Sequence, residues 1–102
     1  MNKIPYDRRC EVYLKALWHY GLDNQMDVAI EEMSEVIKAL TKLKRAKNGI
    51  GNFKECVADL AEEIADATIM LEQLRLFLAI NDDVCEAMDA KVDRLKGRVN
   101  RA

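Results

Sequence analysis

Asn24–Ala46 reads NQMDVAIEEMSEVIKALTKLKRA, and the spacing of its apolar residues decides the fold. Met26, Ile30, Met33, Ile37 and Leu40 advance in steps of four, three, four and three. At about 100° per residue they share one narrow arc of a helix, so the segment is an amphipathic helix over about 24–46. Glu32 sits at the edge of that stripe and Glu35 lies further out. Edge positions can point into a groove between helices rather than straight into solvent.

The segment ends in Lys47-Asn48-Gly49-Ile50-Gly51-Asn52, the clearest loop in the chain. Its two glycines and two asparagines suit a tight reversal. A third helix is expected from Phe53 to about Ile80, with the stripe Val57, Leu60, Ala61, Ile64, Thr68, Leu71, Leu74 and Leu78. Upstream, a first helix is expected from about Pro5 to Tyr20, since proline suits a first turn. Val12, Tyr13, Leu14, Leu17 and Trp18 supply its apolar side. Gly21-Leu22-Asp23-Asn24 reads as a stop followed by a new N-cap. Downstream, Asn81-Asp82-Asp83 is expected to break the third helix and cap a fourth. Val84, Met88, Val92, Leu95 and Val99 give that last helix a narrow seam, suited to packing on the bundle or on a second subunit.

Composition agrees with one all-α domain over residues 1–102. Four glycines and one proline leave few helix breakers. A chain of 102 residues has limited core, so completion of a four-helix bundle by oligomerisation is expected. The net charge of -2 argues against nucleic acid as a partner, although Lys42, Lys44, Arg45, Lys47 and Lys54 form a local basic run. Cys10, Cys56 and Cys85 are odd in number and widely spaced. They read as reduced thiols of a cytoplasmic protein rather than a disulfide framework or zinc site. No apolar run approaches the ~18 residues of a membrane span.

Two acidic clusters carry the chemistry. Glu31-Glu32-Met33-Ser34-Glu35 lies on the second helix and Glu62-Glu63-Ile64-Ala65-Asp66 on the third. Glu32 and Glu35 are three apart, as are Glu63 and Asp66, so each pair shares a helix face. In an antiparallel hairpin turning at Asn48–Asn52, Glu35 lies about 15 residues before the turn and Glu63 about 13 after it. At ~1.5 Å per residue the clusters come level. Four juxtaposed carboxylates repel one another unless a cation sits between them. An all-oxygen set selects magnesium, with manganese as the second choice. His19, the single histidine, lies away from both clusters. This separates the chain from di-iron bundles that need Glu-x-x-His on two helices.

The pair Glu31-Glu32-Met33-Ser34-Glu35 and Glu63-Ile64-Ala65-Asp66 resembles the EExxE and ExxD signature of the MazG-like all-α nucleoside triphosphate pyrophosphohydrolases. The likeness spans roughly residues 13 to 80 and takes in Gln25 and the run Ile69–Leu74. The resemblance implies hydrolysis of a nucleoside triphosphate to monophosphate and pyrophosphate. It implies magnesium held by Glu32, Glu35, Glu63 and Asp66, with Glu31 as an additional ligand or water-orienting base. It also implies a homodimer or homotetramer with sites partly completed by the neighbouring subunit. Lys38 and Lys42 extend the polar face of Glu31 and Glu35 and are candidates for phosphate contacts, against the plainer reading of solvated lysines. Trp18 is a candidate for base stacking, against a place in core or interface. Gln25 is a candidate either for reading a base edge or for capping the helix. Two rivals stand beside the enzyme: a non-enzymatic helical interaction module, and a nucleic-acid binder using the Lys42–Lys54 run.

Overall fold

The computed structural model describes residues 6–102. All the regular structure in them is helical: α1 (Tyr6–Tyr20), α2 (Leu22–Lys47), α3 (Phe53–Phe77) and α4 (Asn81–Arg101). Pro5, the expected start of the first helix, falls outside the described residues. No described helix is long and apolar enough to cross a membrane.

The α2–α3 hairpin is the centre of the molecule, and its turn is built as its residues dictate. Gly49 and Gly51 take φ of 93° and 109°, in the left-handed region open to glycine. The amide of Ile50 closes back onto the Arg45 carbonyl at 3.0 Å, satisfying the end of α2. Asn52 then caps α3, its Oδ1 accepting from the Glu55 amide at 3.0 Å.

Two boundaries differ from the sequence reading. α2 begins at Leu22, not Asn24, because Gly21 alone makes the corner after α1 at φ 85°. The Gly21 carbonyl accepts from the Gln25 amide at 3.1 Å, so the helical ladder is already running at Asn24. α3 stops at Phe77, three residues before the expected end. The turn is made by Leu78, Ala79 and Ile80, with Ala79 at φ 55° and the Ile80 amide bonded to the Arg75 carbonyl at 3.0 Å. Asn81-Asp82-Asp83 is therefore the first turn of α4, where the carboxylates of Asp82 and Asp83 complement the helix dipole.

The seam between α2 and α3 is the larger correction. The stripe Met26, Ile30, Met33, Ile37 and Leu40 is not the buried seam; all five side chains are exposed. The buried positions are Gln25, Ala29, Ala39 and Ala46 on α2, and Ala67, Met70 and Gln73 on α3. Small side chains let two helix backbones approach closely. The hairpin therefore closes on alanines together with Met70, and leaves the Met26–Leu40 stripe outside. Gln25 Nε2 donates to Gln73 Oε1 at 2.7 Å, and Gln73 Nε2 reaches the Met70 sulfur at 3.6 Å. This buried amide pair fixes the hairpin near its open end.

α1 is tied to α3 by a polar cluster. The buried Tyr13 hydroxyl donates to Glu72 Oε2, and Arg9 Nε lies 3.2 Å from the same oxygen. Burial first, then the hydrogen bond and charge of Glu72, push the Tyr13 hydroxyl from 10.0 up to about 12, with Arg9 opposing. The neutral hydroxyl is thus favoured by folding. Its contribution is complete below pH 10 and is lost as the pH climbs from 10 towards 12. Tyr13→Phe is expected to lower stability by ~1–2 kcal/mol at pH 8. It is also expected to flatten the alkaline decline, as urea unfolding at pH 8 and pH 11 would measure.

Among the described helices, α4 packs against α3 alone. Arg75 holds the junction, with Nε donating to Asn81 Oδ1 at 2.9 Å and Nη2 lying 3.3 Å from Cys85 Sγ. No residue of α4 is buried.

Candidate metal centre

The hairpin brings the two acidic clusters level, as their distances from the turn require. Glu32 from α2 and Glu63 and Asp66 from α3 each offer a carboxylate oxygen within 4.8 Å of the other two. Glu32 and Glu63 are half-buried in the interhelix groove, and Asp66 is exposed at its rim. Partial burial, then the charges of Asp66, Glu63, Glu31 and Glu35, hold the Glu32 carboxyl above its usual range. Glu32 is therefore the point where the cluster's repulsion concentrates.

The donor set fits a hard divalent ion. Oxygens at 2.0–2.1 Å from magnesium stand up to about 4.2 Å apart across an octahedron. The three carboxylate oxygens lie within 4.8 Å of one another, close to that range. Three protein carboxylates leave room for water and for phosphate oxygens, which is how magnesium sites are usually completed.

Glu35 stands apart from this triad. It lines a cleft of about 130 Å³ with Lys38, Lys42, Cys56, Asp59, Glu62 and Glu63. Glu63 belongs to both, so the lysine cleft opens directly from the triad towards the loop end of the hairpin. A second cleft, about 190 Å³, lies on the other side of the triad and is lined by Val28, Glu32, Asp66, Ile69 and Met70. One side of the hairpin thus reads, from the loop upward, lysines, carboxylates, then apolar side chains. Glu31 is exposed beside the triad and lines neither cleft.

No family model, curated protein or solved structure matches this chain. Of the residues singled out in the sequence, Glu32, Glu63 and Asp66 are brought together, and Glu35, Lys38 and Lys42 border them. Gln25 is turned into the hairpin seam on Gln73, away from both clefts. Trp18 is 89% exposed on α1 and lines neither cleft. The apolar cleft of Val28, Ile69 and Met70 was not anticipated. Its signal was the position of Val28 four residues before Glu32, and of Ile69 and Met70 three and four after Asp66.

Proposed function

We propose that the chain is a magnesium-dependent nucleoside triphosphate pyrophosphohydrolase of MazG-like type, acting as a cytoplasmic homodimer or homotetramer. The observation that carries the reading is the convergence of Glu32, Glu63 and Asp66 beside a cleft bearing Lys38 and Lys42. Carboxylates alone would repel a triphosphate, and lysines alone would bind any anion. Their adjacency suits a substrate whose phosphates are shared between a cation and ammonium groups.

In this reading Glu32, Glu63 and Asp66 hold the ion, and Glu35 completes or orients its shell from the lysine side. When bound, magnesium (or manganese) supplies charge neutralisation of the triphosphate and activation of a water. Lys38 and Lys42 take the distal phosphates, and the nucleoside lies towards Val28, Ile69 and Met70. Glu31, exposed beside the triad, is assigned the orienting of the attacking water and the acceptance of its proton. Hydrolysis then adds water across one P–O–P linkage and releases nucleoside monophosphate and pyrophosphate. The first experiment measures pyrophosphate release from ribo- and deoxyribonucleoside triphosphates, with magnesium and with chelator. Magnesium-dependent release, lost in Glu35→Gln, is the expected result. A folded protein that releases none and binds no magnesium would sink the reading. The exposed apolar stripe would then favour the helical interaction module.

A further inference from the structure

The hairpin seam holds two amide side chains among small and apolar neighbours. Gln25 and Gln73 are 5% and 6% exposed. The other buried residues of α2 and α3 are Ala29, Ala39, Ala46, Ala67 and Met70. Leucines of similar size would fill the same space with no polar atoms to satisfy, so burial alone does not call for amides. What the amides add is direction, because a hydrogen bond fixes orientation and an apolar contact does not.

The bonds run one way. Asn24 Nδ2 donates to Gln25 Oε1 at 3.5 Å, and Gln25 Nε2 donates to Gln73 Oε1 at 2.7 Å. Gln73 Nε2 then donates to the Met70 sulfur at 3.6 Å. A thioether only accepts, so it takes the amide nitrogen of Gln73 and leaves the oxygen for Gln25. The chain of donors ends on Met70. Methionine has three rotatable side-chain bonds and adapts readily to its surroundings. Here its sulfur is tied from the seam side.

Met70 is also where the seam meets the site. It is 6% exposed, yet it borders the cleft of about 190 Å³ with Val28, Ile69, Glu32 and Asp66. Met70 stands one turn after Asp66, and Val28 one turn before Glu32, so the apolar wall adjoins the carboxylates. With Glu32 and Asp66 engaged by the ion, the cleft offers a nucleoside apolar side chains and one polarizable sulfur. Sulfur packs favourably on aromatic rings.

We infer that Met70 meets the nucleobase and that Gln73, backed by Gln25, is a positioning residue that holds Met70 for it, a role that rests on the proposed function in taking a nucleoside as the occupant of this cleft. Gln25 then acts on the site through two other side chains, without touching the substrate.

Methionines carrying ¹³C-methyl groups provide the test, with the Met70 signal assigned by Met70→Leu. A non-hydrolysable nucleoside triphosphate with magnesium is expected to shift that signal. Inorganic triphosphate, which has no base, is expected to leave it nearly in place. Gln25→Leu combined with Gln73→Leu exchanges the amide pair for apolar side chains of similar size. That variant is expected to bind the nucleotide ~5–10-fold more weakly and inorganic triphosphate unchanged. In a Met70→Leu background the same pair of substitutions is expected to cost nothing further. Equal weakening of both ligands, or a further loss in that background, would overturn the inference. So would a nucleotide that binds without moving the Met70 signal. Wild type alone supplies a check that needs no variant to fold: carbon relaxation should show the Met70 methyl restricted beside the exposed Met26, Met33 and Met88. A freely averaging Met70 methyl would end the positioning role. Nucleotide binding at Met70 without hydrolysis would keep this inference and remove the proposed chemistry. Hydrolysis with a silent Met70 would do the reverse, and a protein that binds no nucleotide loses both.

Discussion

Glu63→Gln is expected to lower magnesium-dependent pyrophosphate release by ~10²-fold or more while raising the melting temperature of the metal-free protein. The two effects have one origin. Glu63 is shared between the triad with Glu32 and Asp66 and the cleft with Glu35, Lys38 and Lys42. Its charge contributes to holding the Glu32 carboxyl high, so its removal relieves repulsion that the fold otherwise tolerates. The same removal takes away a ligand oxygen and the link between ion and phosphate cleft. In wild type, magnesium at a hundred times its dissociation constant would add ~2.7 kcal/mol, or roughly 10 °C or more in a domain of this size. That increment should shrink to almost nothing in Glu63→Gln. Thermal melts with and without magnesium, beside the activity assay, separate this outcome from general damage. A variant that is less stable without metal, yet still gains the full increment from magnesium, would remove Glu63 from the site.

The hairpin and the level acidic clusters were legible because both follow from local rules. The 3.6-residue period marks helices, Gly49 and Gly51 mark the reversal, and similar chain lengths on either side fix the register. The direction of the apolar stripe was not legible. Periodicity shows that Met26, Ile30, Met33, Ile37 and Leu40 share a face, but not what that face meets. Here the alanines of the adjacent face win the hairpin contact, since only small side chains allow the close approach that pairs Gln25 with Gln73. The turn at Leu78–Ile80 was missed for a related reason: it has no glycine, and Ala79 adopts positive φ. Long-range polar pairs such as Tyr13 with Glu72, 59 residues apart, leave no periodic trace. Lys38 and Lys42, by contrast, share a cleft with Glu35, as helical spacing from it requires.

The alanine seam carries a functional consequence of its own. Ala29 is 2% exposed and lies one turn from Glu32; Ala67 is buried beside Asp66. Interhelix spacing at this level sets how near Glu32 can come to Glu63 and Asp66. Ala29→Leu places three extra carbons in a seam with no room for them. Overpacking of this kind costs ~1–3 kcal/mol, and the nearest relief is separation of the helices. Even an ångström of separation opens the carboxylate triangle beyond what one small ion can bridge, because magnesium holds its ligands near 2.1 Å and adapts poorly. Ala29→Leu is therefore expected to lose nearly all magnesium-dependent stabilisation and activity, although every ligand is retained. Calcium, with its longer bonds and looser geometry, should be tolerated better by the widened site. The measurement is magnesium and calcium titration of wild type and Ala29→Leu by calorimetry, with helicity followed by circular dichroism. Unchanged magnesium affinity in a folded, destabilised variant would show that the seam holds the hairpin without setting its site. A shift in preference from magnesium towards calcium would show that seam spacing selects the ion.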